Sequence, residues 1–348
     1  MVLRVEARGA AARKAGRMSR MTQTVPRTGR AAVRRILRWV AITACVPYLS
    51  LKVAWIAGST VGIPEGSALL SDGTSLKLIN AATVLMDVSV VVLALVLTKP
   101  WGRRVPSWLL ALPMWGAVGL LTPIMVGFPA QLLVGALGGT GSGSSGDNGA
   151  FLEGWVFDLV YGGFILQGLA LGALFVLYAC ERWGHLWQGR LGDAGARPVG
   201  RGQRLAALVA AGLAVLPMAV HLLWACGVHT GLSNTLAAQY DADSAVQDAA
   251  YVLYTGATVA GLVLLLARRA GAALALRVPL LLAGVGSAAT GCWGGWLLLA
   301  AVTGPSHGDR AATPLMLLTY AVQMFVGLLV LTAGARFLNG RAGAPRTS

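Results

Sequence analysis

The chain has 348 residues, of which 56% are hydrophobic and only 12% charged, and its mean hydropathy is +0.68. A soluble domain carries roughly 25% charged residues, and one globule cannot hide this much apolar surface, so composition excludes a soluble globular protein and implies a polytopic membrane protein. The net charge of +15 sits between and outside the apolar runs, which is an orientation signal of membrane proteins; the lipid bilayer is the expected partner and nucleic acid is not.

Residues 1 to about 35 are rich in Arg, Gly, Ala and Ser and read as a disordered basic tail, with Arg34, Arg35 and Arg38 at its junction with the first apolar run. Eight apolar runs follow, over 36–60, 78–98, 107–128, 154–180, 205–228, 249–267, 279–302 and 313–337, each near the ~20 residues that a bilayer requires. Pro47, Pro113 and Pro217 lie inside these runs, where neighbouring helices can satisfy the freed carbonyls.

The loops alternate in charge. Lys99, Arg103 and Arg104 follow the second run; Arg182, Arg190, Arg197, Arg201 and Arg204 lie between the fourth and fifth; Arg268, Arg269 and Arg277 follow the sixth; Arg336, Arg341 and Arg346 close the chain. The other loops hold Glu65, Asp72, Asp147, Glu153, Asp241, Asp243 and Asp309, with Lys77 and Arg310 their only basic residues. The positive-inside rule places both termini in the cytoplasm of a multi-pass cell-membrane protein. The Gly/Ser-rich stretch 138–146 reads as a flexible external linker.

One pattern recurs. Lys52, Trp55, Gly58 and Gly62 return at the same spacing as His221, Trp224, Gly227 and Gly231; Arg104-Val105-Pro106 returns as Arg277-Val278-Pro279, and Tyr161 with Gly168 as Tyr320 with Gly327. The expected fold is therefore an all-α integral membrane protein of eight transmembrane helices, arranged as two parallel four-helix repeats with N-in/C-in topology. The boundaries are a tail over 1–35, a first repeat over 36–180, a cytoplasmic linker over 181–204, a second repeat over 205–338 and a cytoplasmic tail over 339–348.

Charges inside a bilayer are expensive and mark candidate sites. Lys52 and Asp87 are expected at similar depth on adjacent helices, ~12 Å below the helix ends at 1.5 Å per residue, where an ion pair would lower the cost of both. Asn80, Thr83 and Asp87 form one helical stripe, matched in the second repeat by Asp248, Tyr251 and Thr255, so that only the first repeat is expected to keep the deep carboxylate. His221 takes the place of Lys52. Trp55 and Trp224 read as interfacial anchors or as an aromatic cavity wall, and Gly58 with Gly62, like Gly227 with Gly231, as small-residue pairs at helix crossings. The run 284–292 reads as another tight helix contact. Asp158 and Tyr161 stand one turn apart on the fourth helix, Tyr320 and Gln323 on the eighth. Were the polar faces of helices 1, 2, 4 and 5 to converge, they would form an outward-opening pocket. Cys45, Cys226 and Cys292 in the apolar runs read as small buried residues, with Cys180 at the end of one.

No HExxH, GxSxG, phosphate-binding loop or Cys/His metal spacing is present, so no catalytic residue, metal or cofactor is expected. The expected function is a permease or small-molecule-binding membrane protein, its site between the repeats near the outer leaflet and its ligand a small molecule or ion. The alternatives are a non-catalytic scaffold or accessory subunit, whose Gly-rich faces hold a partner membrane protein, and an intramembrane enzyme acting on lipid.

Overall fold

The structure, a computed structural model, describes residues 27–65, 67, 73–137, 152–192, 200–267, 272–303, 309 and 311–342. The helices are α1 (Arg27–Ile56), α2 (Gly73–Thr98), a 3-10 segment (Pro100–Arg104), α3 (Ser107–Ala136), α4 (Gly154–Trp187), α5 (Arg201–Leu213), α6 (Val215–Ala225), α7 (Asn234–Ala238), α8 (Ala242–Leu266), α9 (Arg277–Thr303) and α10 (Pro314–Ala342). Seven helical stretches, with α5 and α6 together forming one of them, are long and apolar enough to cross a membrane, and α2 contributes a shorter apolar stretch, Thr83–Thr98. Of the eight expected spans, seven thus meet that measure. Among the described residues there is no strand, only an isolated antiparallel bridge between Arg190 and Ala275.

Lipid-compatible side chains cover the outside: Leu85, Leu169, Leu253 and Leu281 are all exposed. Inside the bundle α1 packs on α4 and α2, α6 on α8, α5 on α10, and α9 on both α8 and α10. The third helix crosses over: α3 touches α4 but also packs against α9 and α8, joining the two halves. Trp293 donates its indole N–H to the Leu120 carbonyl at 3.1 Å across this seam, and a Cβ on Gly119 would meet the Ala288 backbone. Between helices in lipid, where apolar burial offers no net drive, such close approaches supply the association. The Gly-rich run of α9 works this way: a Cβ on Gly291 would lie 2.8 Å from the Cα of Gly327 in α10, and one on Gly286 would lie 2.7 Å from the Tyr254 carbonyl oxygen in α8.

Several boundaries differ from the sequence reading. Helix α1 begins at Arg27, so residues 27–35 of the expected tail are helical; Arg and Ala are strong helix formers and carry the helix beyond the apolar run. The stretch 138–146 falls outside the described residues. The linker 181–204 is partly structured: α4 runs to Trp187, Leu191 donates N–H to the Leu274 carbonyl at 2.8 Å, and Arg341 Nε donates to the Leu186 carbonyl at 2.7 Å. The fifth span breaks at Ala214 between α5 and α6, because Pro217 has no N–H for the Leu213 carbonyl and its ring crowds that turn. Of the cysteines only Cys45 is fully buried; Cys226, just past the end of α6, is exposed.

Candidate functional site: two buried polar centres

The site is built at the ends of α1 and α6. Ser59 donates N–H to the Ala54 carbonyl at 2.8 Å and Gly58 to the Trp55 carbonyl at 3.1 Å; Val228 does the same to Leu223 at 2.9 Å and Gly227 to Trp224 at 2.9 Å. This pair of bonds is a Schellman cap, which requires a left-handed residue just past the helix. Gly58 at φ 94° and Gly227 at φ 86° provide it. The small-residue pairs are therefore caps and turns rather than helix crossings. Gly58 and Gly227 have open space where a Cβ would go, while Gly62 lies against Trp155 and Val156 in α4, and Gly231 against Leu315 in α10.

The tryptophans hold the capped loops back against the bundle. Trp55 Nε1 donates to the Val61 carbonyl at 2.8 Å, and Trp224 Nε1 to the Thr230 carbonyl at 3.1 Å. Both rings are buried, with Leu51, Ile63 and Val156 around Trp55 and Val220, Met316 and Tyr320 around Trp224. They serve as internal clasps rather than interfacial anchors.

The caps also move the charges. Because α1 stops at Ile56, Lys52 lies one turn from the helix end, at ~6 Å of helical rise rather than ~12 Å, yet it is only 4% exposed. Its ammonium donates to Asn80 Oδ1 at 3.0 Å and lies 4.5 Å from the centroid of the Tyr48 ring. The expected ion pair with Asp87 is not formed: among the described residues Lys52 contacts no carboxylate, although it lies near enough to Asp87 to interact through space. Asp87 sits about two turns further along α2 than Asn80, so a side chain at the end of α1 meets the amide first. The Asp87 Oδ2 and Asn80 Nδ2 atoms are buried without hydrogen-bond partners.

The second centre is more complete. His221 Nδ1 lies 2.7 Å from Asp248 Oδ1, and Tyr240 donates its hydroxyl proton to Asp248 Oδ2 at 2.6 Å. On the far side of the imidazole, Gln323 Nε2 lies 2.9 Å from His221 Nε2. Trp224 and Tyr251 flank the ring at centroid distances of 5.2 and 4.8 Å. His221 is 1% exposed and Asp248 8%. Tyr240 stacks on His229 with centroids 4.1 Å apart. Burial first, and then the bond to Asp248, push the Tyr240 hydroxyl above the usual phenol range.

The second half thus has a buried carboxylate of its own, but at the shallower place; Thr255 stands where Asp87 does in the first half. Asp248 is the counterpart of Asn80, and each pairs with the basic residue of the preceding span. The remaining candidates are dispersed. Asp158 is exposed at the start of α4, and Tyr161 packs edge-on against Phe128 at 5.0 Å. Helix α6 joins α8 and α10, so the polar face of the fifth span turns to the second half rather than to helices 1, 2 and 4. Gln323, noted in the sequence only as one turn from Tyr320, is a direct partner of His221; its polarity on an apolar helix was the available signal. Two surface hollows, of about 520 and about 680 Å³, lie on the outer face of α1 and at its basic end; Lys52, Asp87 and His221 line neither.

Hydrogen-bond logic fixes what the second centre can do. An ionised Asp248 only accepts, so Nδ1 carries a proton, and Nε2 then accepts from the Gln323 amide N–H. The Gln323 Oε1 atom is buried without a partner. Rotating the amide by half a turn would present that oxygen to a protonated Nε2. The two amide orientations thus suit an imidazole Nε2 that accepts a hydrogen bond and one that donates it. Nε2 faces an amide, which is no nucleophile, so His221 and Asp248 are not arranged for acyl transfer. No protein-family model matches the chain, and no curated protein or solved structure is detectably similar to it.

Proposed function

We propose that the protein is a proton-coupled permease for a small polar solute or ion, spanning the cell membrane as two parallel four-helix repeats with both termini cytoplasmic. The observation that carries this reading is the continuous chain Tyr240–Asp248–His221–Gln323, which runs from a loop into the membrane-spanning bundle. Ionisable side chains buried at membrane depth are costly and are found in ion and proton pathways, and this chain offers the His221 Nε2 a partner whether it accepts or donates a hydrogen bond. Lys52 and Asp87 supply a second pair of buried ionisable groups in the other half. The repeat reading is supported by the duplicated Schellman caps, the duplicated tryptophan clasps and the matched pairs Lys52–Asn80 and His221–Asp248. The scaffold reading is weaker, because the Gly-rich faces of α9 and α10 are already packed on each other.

The test compares intracellular solutes, by mass spectrometry, in cells expressing wild type, Asp248→Asn or His221→Gln at equal membrane abundance, in media of pH 6 and pH 8. The expected result is at least one solute that accumulates with wild type, more strongly in acidic medium, and not with either variant. Profiles indistinguishable from vector-only cells at both pH values would overturn the permease reading in favour of the scaffold.

A further inference from the structure

We propose that the groove at the basic end of α1 binds the phosphate headgroup of an anionic membrane lipid. The groove, about 680 Å³, is lined by Arg30, Arg34, Arg35, Arg38 and Arg103 with a single carboxylate, Glu181. Glu181 holds two of the arginines, Arg34 at 2.7 Å and Arg103 at 3.2 Å. Among the described residues Arg30, Arg35 and Arg38 have no carboxylate partner; Arg38 only lies over the Trp39 ring at 5.8 Å. Like charges crowded around one hollow repel one another, and an anion relieves that repulsion. Guanidinium groups are the side chains best shaped to bind phosphate through paired N–H donors.

The surroundings favour a lipid as the source of the phosphate. Trp39, next in sequence to Arg38, and Trp101, two residues before Arg103, are 55% and 47% exposed, as suits aromatic residues at a membrane–water boundary. Between the arginines of α1, Val33 and Ile36 are 48% and 62% exposed, which suits contact with an acyl chain and would be wasted on a soluble phosphate. Basic hollows between membrane helices are suited to such headgroups. This groove shares no residue with the chain Tyr240–Asp248–His221–Gln323, so it stands independently of the permease reading.

The experiment measures lipid binding to the full chain in neutral detergent by native mass spectrometry. The probes are cardiolipin, phosphatidylglycerol and phosphatidylcholine, with inorganic pyrophosphate as soluble competitor. Arg35→Gln with Arg38→Gln should weaken cardiolipin binding roughly 25-fold, about fivefold per arginine. Arg201→Gln with Arg204→Gln at the start of α5, the same charge change elsewhere, should leave it unchanged. If the first pair lowers the lipid-free melting temperature, Arg30→Gln with Arg35→Gln reads the same groove. Equal losses in groove and control variants, or equal binding of phosphatidylcholine, would overturn the site. Displacement of cardiolipin by equimolar pyrophosphate would overturn the lipid as its occupant.

Discussion

Replacing Asp248 with Ala should destabilise the folded bundle by about 3–6 kcal/mol, the worth of two hydrogen bonds to a charged group. The size can be worked from contacts. The carboxylate accepts from His221 at 2.7 Å and from Tyr240 at 2.6 Å, and a hydrogen bond to a charged group is worth about 1.5–3 kcal/mol. Truncation removes both and strands the His221 Nδ1 proton in a site 1% exposed. Asp248→Asn keeps the shape and an acceptor, so it should cost about half as much. Ordinary interhelical hydrogen bonds in membranes average about 0.6 kcal/mol and reach about 1.7. A coupling above that in the Asp248→Ala/His221→Ala cycle would therefore mark an ionised carboxylate. The assay is unfolding of wild type, both single variants and the double variant in mixed micelles, followed by tryptophan fluorescence. Single losses that add within about 0.5 kcal/mol in the double variant would refute the coupling and the proton chain built on it.

Further outcomes are expected elsewhere. Asn80→Ala should destabilise more than Asp87→Asn, by about 1–2 kcal/mol, because Asn80 holds the Lys52 ammonium; melting temperatures decide it, and the reverse order would restore a Lys52–Asp87 pair. Gly58→Ala, at φ 94° with open space for a Cβ, should cost only the left-handed penalty of about 1–2 kcal/mol, whereas Gly231→Ala, packed on Leu315, should cost more; a thermal-shift series ranks them. Tyr240 has its ionisation raised by burial and by Asp248. The neutral phenol is thus favoured by folding, so its contribution is complete below about pH 10. Above that pH it is lost as the unfolded chain ionises first, and the alkaline fall of melting temperature should be shallower in Tyr240→Phe. With Cys180 and Cys226 replaced by Ser, a cysteine at Asp241 should label with an impermeant reagent in intact cells and one at Arg103 should not; labelling at Arg103 would end the N-in/C-in topology.

Much of the architecture was legible in composition and in the positions of Trp and Gly, because apolar runs and their length are local properties. The recurring Trp-x-x-Gly was visible, but its role was not. A Gly at i and i+4 reads alike whether it sits on a helix face or caps one, and only the positive φ of Gly58 and Gly227 separates the two. That single ambiguity displaced the end of α1, the depth assigned to Lys52 and the choice of Asp87 over Asn80 as its partner. The His221–Asp248 pair was within reach, since both lay at the positions matching Lys52 and Asn80. The polarity of Gln323 on an apolar helix marked it, but not its partner, because it arrives from the last span and sequence spacing carries no information on which remote helices meet.

The tryptophan clasp changes what opening this protein would require. His221 lies one helical turn before Trp224, whose indole ties down the short capped loop through the Thr230 carbonyl. Water could reach the centre if this one hydrogen bond and the stacking of a single indole were released, with the α6, α8 and α10 scaffold left standing. The barrier to entry would then be local and small, on the scale of a loop motion in microseconds rather than of a reorientation of whole helical halves.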